Sequence, residues 1–495
     1  MRAEQDPYDV VPYPSFPHPY THPDRLAAMA TLHGLSPAPV EQCRVLEIGC
    51  NEGANLIPMA YAVPGSEFVG FDLAGLPIAR GQERIRELGL RNVRLFESNL
   101  LGVGTELGQF DYIVAHGLYA WVPEPAREGL LALCGKLLTP DGVAFVSYNA
   151  LPGGHLRRMI REMMLFQVGD IEDPERRVSG GLAFLRFLLE ARPEGDAYRL
   201  LIEDQLTRME KRSPQVTYHD ELSGAYHPVR FVEFVEHARS HGLQYLSEAV
   251  LPPPTDPCYR SGMLSALART AGDDILKQEQ MLDFARMRGY RETLLCRAEH
   301  IVRRDFPVEH LRRLLLASPV KSTPGETSGA TIFQLADGIK MESNHAGAIA
   351  LLEVLEAAWP RVLSFDELEP RIAATGFAFD GDGVTLLMRL VVAKMVELHA
   401  WRAPVAGEVS ARPRASACAR QEARTRANAT TLLHGTVTLD DPVVRGFLKL
   451  LDGTRDHKAL LDAMEAEFPA LPQEALQEGI EPGLAFFHRA GLLEG

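Results

Sequence analysis

The chain reads as an α/β protein built on an open, doubly wound, mostly parallel sheet, and three observations predict this. Short apolar runs rich in β-branched and aromatic residues recur at 44–48, 67–71, 93–97, 111–114 and 141–148. Amphipathic stretches at 54–62, 76–88 and 124–138 lie between them. Glycines at 49 and 53 bracket a tight turn between the first run and the first such stretch. Strand and helix in alternation make parallel strands with helical crossovers the economical arrangement.

Taken in order, residues 1–24 carry Pro7, Pro12, Pro14, Pro17, Pro19 and Pro23, with Tyr8, Tyr13, Phe16 and Tyr20 between them. Proline at that density excludes a long helix, and the aromatics argue for an arm that packs on something. A helix is expected over 25–35, ending near Gly34. The stretch from Arg44 to Met59, RVLEIGCNEGANLIPM, then reads as buried strand, turn and helix start. Pro58 is tolerated there because the N–H it lacks would have no partner in a first turn. A glycine turn between a strand and a helix N-terminus lets backbone approach a ligand closely.

After the fifth run the rhythm breaks. Three helix-like segments near 153–168, 175–191 and 196–211 follow with no strand between them. His227–His241 reads as an amphipathic helix, 243–249 as a sixth strand, 258–288 as a second helical stretch and 291–298 as a seventh strand. The expectation is a seven-stranded, Rossmann-like domain over 44–304 with helical insertions at 151–226 and 253–290, preceded by an N-terminal arm over 1–43. Beyond it, 305–403 and 431–495 each read as a strand followed by three short helices, like two winged-helix units. LLEVL at 351–355 aligns with FLKLL at 447–451. In the first unit, 332–341 is expected as one strand. Residues 404–430 are expected as a linker, its arginines a solvated connector.

Composition limits function. With 495 residues, of which 46% are hydrophobic and 24% charged, the chain is too long for one core. Lys and Arg number 51 against 66 Asp and Glu, for a net charge of −15, which argues against a nucleic-acid role for the whole chain because phosphate binding needs a basic footprint. The six cysteines, at 43, 50, 134, 258, 296 and 418, are scattered with no CxxC pair, and reduced thiols in a cytoplasmic protein are expected. The polar, proline-rich start has no signal-peptide apolar region. No His, Cys or carboxylate cluster has metal-ligand spacing in sequence.

The chemistry gathers around the turn. Glu47-Ile48-Gly49-Cys50-Asn51-Glu52-Gly53 resembles the E-x-G-x-G-x-G signature of class I S-adenosylmethionine methyltransferases, with Asn51 in place of the middle glycine. Asn also adopts the left-handed backbone, so the turn is expected to survive. Asp72, followed by Leu73 at the end of the second strand, stands where a carboxylate accepts both ribose hydroxyl protons; it could equally cap a helix. Asn99 and Leu100 follow the third strand, where the family often places an Asp for the adenine amino group. The loop AHGLYAWVP at 115–123 brings His116, Gly117, Tyr119 and Trp121 beside the expected sulfonium, which favours aromatic faces; alternatively, the rings of Tyr119 and Trp121 pack under the next helix. Asn55 is expected to reach the cofactor's amino-acid end, and Tyr13, Tyr20 and His22 to close a lid over it, unless the arm instead packs at a dimer surface. As acceptor-side groups the candidates are His116, Tyr119, Tyr148, Tyr218, His219 and Asp220, although HDEL at 219–222 also suits a helix cap or turn.

Several stretches together carry a closer resemblance: YPSFPHPYTHPDRLA, VLEIGCNEGANLIPMA, FDYIVAHGLYAWVP, FVSYNALPGGHLR, the HDEL, and LDFARMRGYRETLLC at 282–296. They resemble the bacterial class I methyltransferases with a methyltransferase regulatory domain, which include the rickettsial-type protein-lysine methyltransferases acting on outer-membrane proteins. The resemblance covers most of the chain. It implies S-adenosylmethionine as cofactor, S-adenosylhomocysteine as product, a protein or peptide substrate methylated on lysine, and a homodimer with middle and C-terminal domains around an open cavity. Two other readings compete: a methyltransferase for a small molecule or peptide natural product, and a non-catalytic adaptor that binds protein.

Overall fold

The computed structural model describes residues 7–251, 262–377 and 381–495. Cys258 and the start of the expected second insertion lie outside them. Its centre is a seven-stranded sheet in the order β3-β2-β1-β4-β5-β7-β6. The strands are β1 (Arg44–Ile48), β2 (Glu67–Asp72), β3 (Val93–Glu97), β4 (Phe110–Ala115), β5 (Leu138–Asn149), β6 (Leu243–Glu248) and β7 (Tyr290–Arg297). The first five run parallel, and β7 pairs antiparallel with both β5 and β6.

Both faces of the sheet are covered, so its strands are apolar throughout. Val45, Phe68, Tyr112, Val114, Val143, Phe145, Leu294 and Cys296 point to one face, which packs on the helices Pro23–Leu32, Leu56–Ala62 and Gly75–Leu88. Leu46, Ile48, Phe71, Ile113, Ala144, Val146 and Tyr148 point to the other, under the helices Glu124–Leu137 and Phe231–Ser240. The period of two places Glu47 on the face of Val45. Chain order reverses between β1 and β4, and that switch point is where open α/β sheets bind ligands.

The first insertion is a bundle of Gly153–Val168, Pro174–Glu190, Ala197–Glu210 and Pro214–Leu222 around Ile160, Met164, Leu185 and Ile202. HDEL forms the last turn of its fourth helix. The middle unit has its own core, into which Ala28 and Leu32 of the helix Pro23–Leu32 also pack.

Two expectations need correction here. Residues 332–341 are not one strand: Thr331–Gln334 and Lys340–Ser343 form an antiparallel hairpin, with Lys321–Pro324 as third strand. Asp337-Gly338 makes the reversal, and Gly338 has φ +91°, a left-handed geometry that glycine adopts without strain. Nor is 404–430 a solvated linker. It forms the helix Ala417–Glu422 and the strand Asn428–Thr430, and Ala415, Ala419, Ala423 and Ala429 join the C-terminal core. Arg84 and Glu422 pair at 2.9 Å and Tyr61 bonds to Glu494, so this C-terminal unit docks directly on two helices of the sheet domain.

Candidate functional site

The turn after β1 is built by backbone geometry. Gly49, Asn51 and Gly53 have φ of +78°, +50° and +70°. Asn51 therefore takes the left-handed conformation its position demands, and its Oδ1 accepts from Glu52 N at 2.7 Å. A side chain on Gly53 would collide with Leu95. Asp72, at the end of the neighbouring strand, holds the turn in place: Oδ2 accepts from Asn51 N at 2.8 Å and Oδ1 from Ala74 N at 3.0 Å. Cys50 contributes only backbone to this surface, because its Sγ is buried against Gly70 of β2. Leu73 stands largely exposed beside the turn.

Under the turn lies a buried polar cluster centred on Asn55. Its Nδ2 donates to Glu47 Oε1 at 2.8 Å and to Thr21 Oγ1 at 2.9 Å, and its Oδ1 accepts from His18 N at 2.9 Å. His434 of the C-terminal unit reaches the same oxygen through Nε2 at 2.8 Å. Asn55 is thus a hub joining arm, sheet and C-terminal unit, and its amide is spent there rather than aimed at a ligand. Glu47 Oε2 is different: it is buried with no hydrogen-bond partner. Burial raises the Glu47 carboxyl to about 8 from an ordinary 4.5, with Asp72 adding to the rise and the Asn55 bond opposing it.

The loop after β4 forms the adjacent wall. His116 stacks on His18 of the arm, with ring centroids 3.6 Å apart, and its Nε2 lies 3.3 Å from the Tyr290 hydroxyl. Tyr290 donates to Ser147 Oγ at 2.7 Å, which also accepts from Gly117 N at 2.7 Å. Burial lowers His18 to about 4 and His116 to about 3, so both imidazoles are neutral near pH 7. Burial also raises the Tyr290 phenol, which stays protonated.

The arm crosses this edge of the sheet. Asp9 Oδ1 accepts from Leu76 N, beyond the end of β2. On the other side, Tyr8 stacks on His219 at 4.2 Å, His219 Nε2 lies 2.7 Å from Val11 O, and Tyr13 donates to Asp220 Oδ1 at 3.3 Å. Arg157 bridges Asp220 and Glu221 at 3.0 and 2.7 Å, and Arg157 and Arg161 lie over the rings of Trp121 and Tyr226.

The structure separates the expected candidates. His116, Gly117, Tyr13, His219 and Asp220 gather around the crossing arm. Tyr119 and Tyr148 do not: both are core residues, 3% and 0% exposed, their hydroxyls against His237 Nδ1 at 2.8 Å and Thr293 Oγ1 at 3.2 Å. Both faces of the sheet are buried, so apolar patterning does not show which way Tyr148 points, and Tyr119 sits in a short turn with no pattern at all. Tyr218 packs on the insertion core. Tyr20 lies over Arg25 in a separate cavity of about 390 Å³, which Trp359 and Trp401 also line. His22 stacks on Trp401 and lies against His434, the partner of Asn55. Asn99 Oδ1 accepts from Leu101 N as a helix cap, with Leu100 in the turn that follows. Trp121 faces the arginines of the insertion. His18, Ser147, Tyr290 and Arg157 all lie in the stretches that carry the family resemblance without standing out as site residues; nothing local marks the partner of Tyr290, 143 residues away.

Chemically, this site offers two carboxylates at the ends of adjacent parallel strands, one of them with a buried oxygen lacking a partner. It has a turn shaped for close backbone approach and a neutral aromatic wall. Such a set fits a ligand that carries a diol and an ammonium group.

Comparison with known proteins agrees. Residues 46–144 match the family described as a methyltransferase domain, 213–297 a predicted methyltransferase regulatory domain, and 411–485 the C-terminal winged helix domain of PKMT. The uncharacterized protein RP028 of Rickettsia prowazekii is 32% identical over 48% of this chain and 96% of its own length. RP789 of the same organism is 32% identical over 63% of this chain, which spans only 56% of that longer relative. In fold, the chain is similar to PKMT2 from Rickettsia typhi, solved in complex with AdoHcy. The TM-score is 0.87 at 24% identity, over 98% of this chain and 100% of that one.

Proposed function

We propose that this chain, which belongs to the bacterial class I methyltransferases carrying a methyltransferase regulatory domain and a PKMT-type winged helix, transfers methyl groups from S-adenosylmethionine to lysine side chains of a protein. The observation that carries the cofactor assignment is the pairing of Asp72 with the partnerless Glu47 Oε2 across the turn after β1. In this reading Asp72 holds the ribose hydroxyls, Glu47 the cofactor's α-ammonium, and Gly49, Cys50, Asn51 and Gly53 give the backbone cradle. Leu73 and the Asn99–Leu100 turn flank the adenine. The cofactor supplies an electrophilic methyl on a sulfonium. This chain's own residues position and shield. His116 and His18 stay neutral beside the positive centre, and the arm from Tyr8 to His18 closes the edge of the sheet against water.

A lysine acceptor has an ordinary pKa of about 10.4 and must lose a proton before it attacks. Burial beneath the arm lowers that value. Tyr13, His219, Asp220, Tyr290 and His116 are the groups placed to accept hydrogen bonds from an amine there. The substrate class is supported by the whole-chain likeness to PKMT2 in fold and by the PKMT-type C-terminal unit, whose His434 reaches the cofactor motif. The same reading makes the chain a cytoplasmic homodimer. Phe166, Phe187 and Leu200, which are 88%, 63% and 56% exposed on the helices of the first insertion, are the apolar side chains a second copy would cover. Among the described residues no helix is long and apolar enough to cross a membrane.

Incubation with methyl-labelled cofactor and a bacterial lysate tests the substrate class. Label should appear in protein, in lysine after hydrolysis. Label confined to small molecules would overturn the protein assignment, and failure to bind S-adenosylhomocysteine would overturn the enzyme assignment.

A further inference from the structure

One cluster of chemistry-bearing side chains plays no part in the site above. His237 and His241 are four residues apart, on one face of the helix Phe231–Ser240 and its cap. Glu128 approaches them from the helix Glu124–Leu137. His237 Nε2 lies 2.8 Å from Glu128 Oε2, and His241 Nε2 lies 3.1 Å from Glu128 Oε1. The three donor atoms all fall within 4.8 Å of one another, and this is the one such group among the described residues.

We propose that Glu128, His237 and His241 form a binding site for a single divalent cation of the zinc type, joining the methyltransferase part of the chain to its regulatory part. Two imidazoles and one carboxylate are a common ligand set for zinc, with a fourth position left to water. Glu128 is 59% exposed, which leaves that position open to solvent. The surroundings go beyond a surface ion pair. Tyr119, buried in the core, has its hydroxyl 2.8 Å from His237 Nδ1. Without an ion, His237 Nε2–H donates to Glu128 and the Tyr119 hydroxyl donates to Nδ1; with an ion on Nε2 the ring proton would sit on Nδ1 and donate to the Tyr119 oxygen, the outer-shell arrangement typical of metal-bound histidine. His241 Nε2 is buried, and apart from its 3.1 Å approach to Glu128 Oε1 it makes no hydrogen bond among the described residues.

The location gives the ion a role. Glu128 lies in the region matching the methyltransferase domain and both histidines in the region matching the regulatory domain. Tyr119 starts the short turn Tyr119–Trp121, two residues after Gly117 in the loop that carries His116. An ion on His237 would fix Tyr119, and with it the end of that loop.

The test is calorimetric titration of zinc chloride into the full-length, chelator-treated protein, followed by thermal melting with and without zinc. One ion per chain and a higher melting temperature are expected. Glu128→Gln and His241→Ala should each abolish the site, and Tyr119→Phe should weaken it by roughly tenfold or more while keeping the stoichiometry. Glu128 is exposed, so its variant should melt like the parent in chelator, which separates loss of the ion from loss of fold. Zinc binding that is unchanged in Glu128→Gln and His241→Ala, or absent from the parent at micromolar zinc, would overturn the proposal.

Discussion

Replacing Glu47 with Gln should abolish a proton release that accompanies binding of S-adenosylhomocysteine. In the ligand-free protein the Glu47 carboxyl is raised to about 8, chiefly by burial. At pH 7 a group of that pKa is roughly 0.9 protonated, and at pH 9 roughly 0.1. An ammonium placed against the partnerless Oε2 favours the charged form, so the proton leaves as the ligand arrives. Calorimetric titration in two buffers of different ionisation enthalpy reads the number released. The parent should release about 0.9 more protons than Glu47→Gln at pH 7, and the difference should fade by pH 9. At pH 7 the ligand's ammonium is already largely charged, so its own proton uptake is small beside this release. The same shift has a stability consequence. A folded value above the ordinary 4.5 means the native state holds the extra proton, so stability conferred by the neutral group is full below that pH and is lost as pH rises toward about 8. Equal proton release by the parent and Glu47→Gln across pH 6 to 9, with both binding the ligand, would refute the assignment of Glu47 to the ammonium.

Three further outcomes are expected. Asp72→Ala removes the acceptor of Asn51 N together with the ribose contacts, and affinity for S-adenosylhomocysteine should fall by about a hundredfold or more, read as loss of the ligand's thermal shift. Asn51→Gly should melt within a degree or so of the parent, whereas Asn51→Val forces a β-branched residue to φ +50° at a cost of about 1–2 kcal/mol and should weaken ligand binding in step, as shown by paired melting curves. Arg291→Met strands Glu248, Glu279 and Asp283, which the fully buried guanidinium meets at 2.7 to 3.0 Å; a loss of about 3–5 kcal/mol is expected, seen as a lower melting temperature or as insoluble expression.

What could be read in the sequence follows from the range of the interactions. The turn after β1 was legible because its residues are contiguous and each glycine answers a local backbone demand. The seven strands were legible because sheet periodicity is local too. The face of Tyr148 was not, since a sheet buried on both sides gives no polar alternation to orient a strand, and Tyr119 lies in a short turn with no periodicity to orient it. Residues 404–430 passed for a connector because their core positions are alanines, which pack tightly yet hardly raise the apolar signal. The metal-type cluster was half visible as His237 and His241 at helical spacing, but its carboxylate comes from 109 residues away. Asn55 was taken for a ligand contact because its position on the helix fits one, while its partner His434 lies 379 residues further on.

That last contact bears on how the protein is made. Synthesis runs from the N-terminus at about 5–20 residues per second, so His434 emerges roughly 20–80 s after Asn55. The last strand of the sheet, β7, emerges part-way through that interval, and until the interval ends the polar group beneath the ligand turn lacks one of its partners. A chain that stops before His434 leaves Asn55 one partner short and should bind S-adenosylhomocysteine more weakly than the full chain. The polar cluster under the ligand turn is therefore finished only once the C-terminal unit has docked.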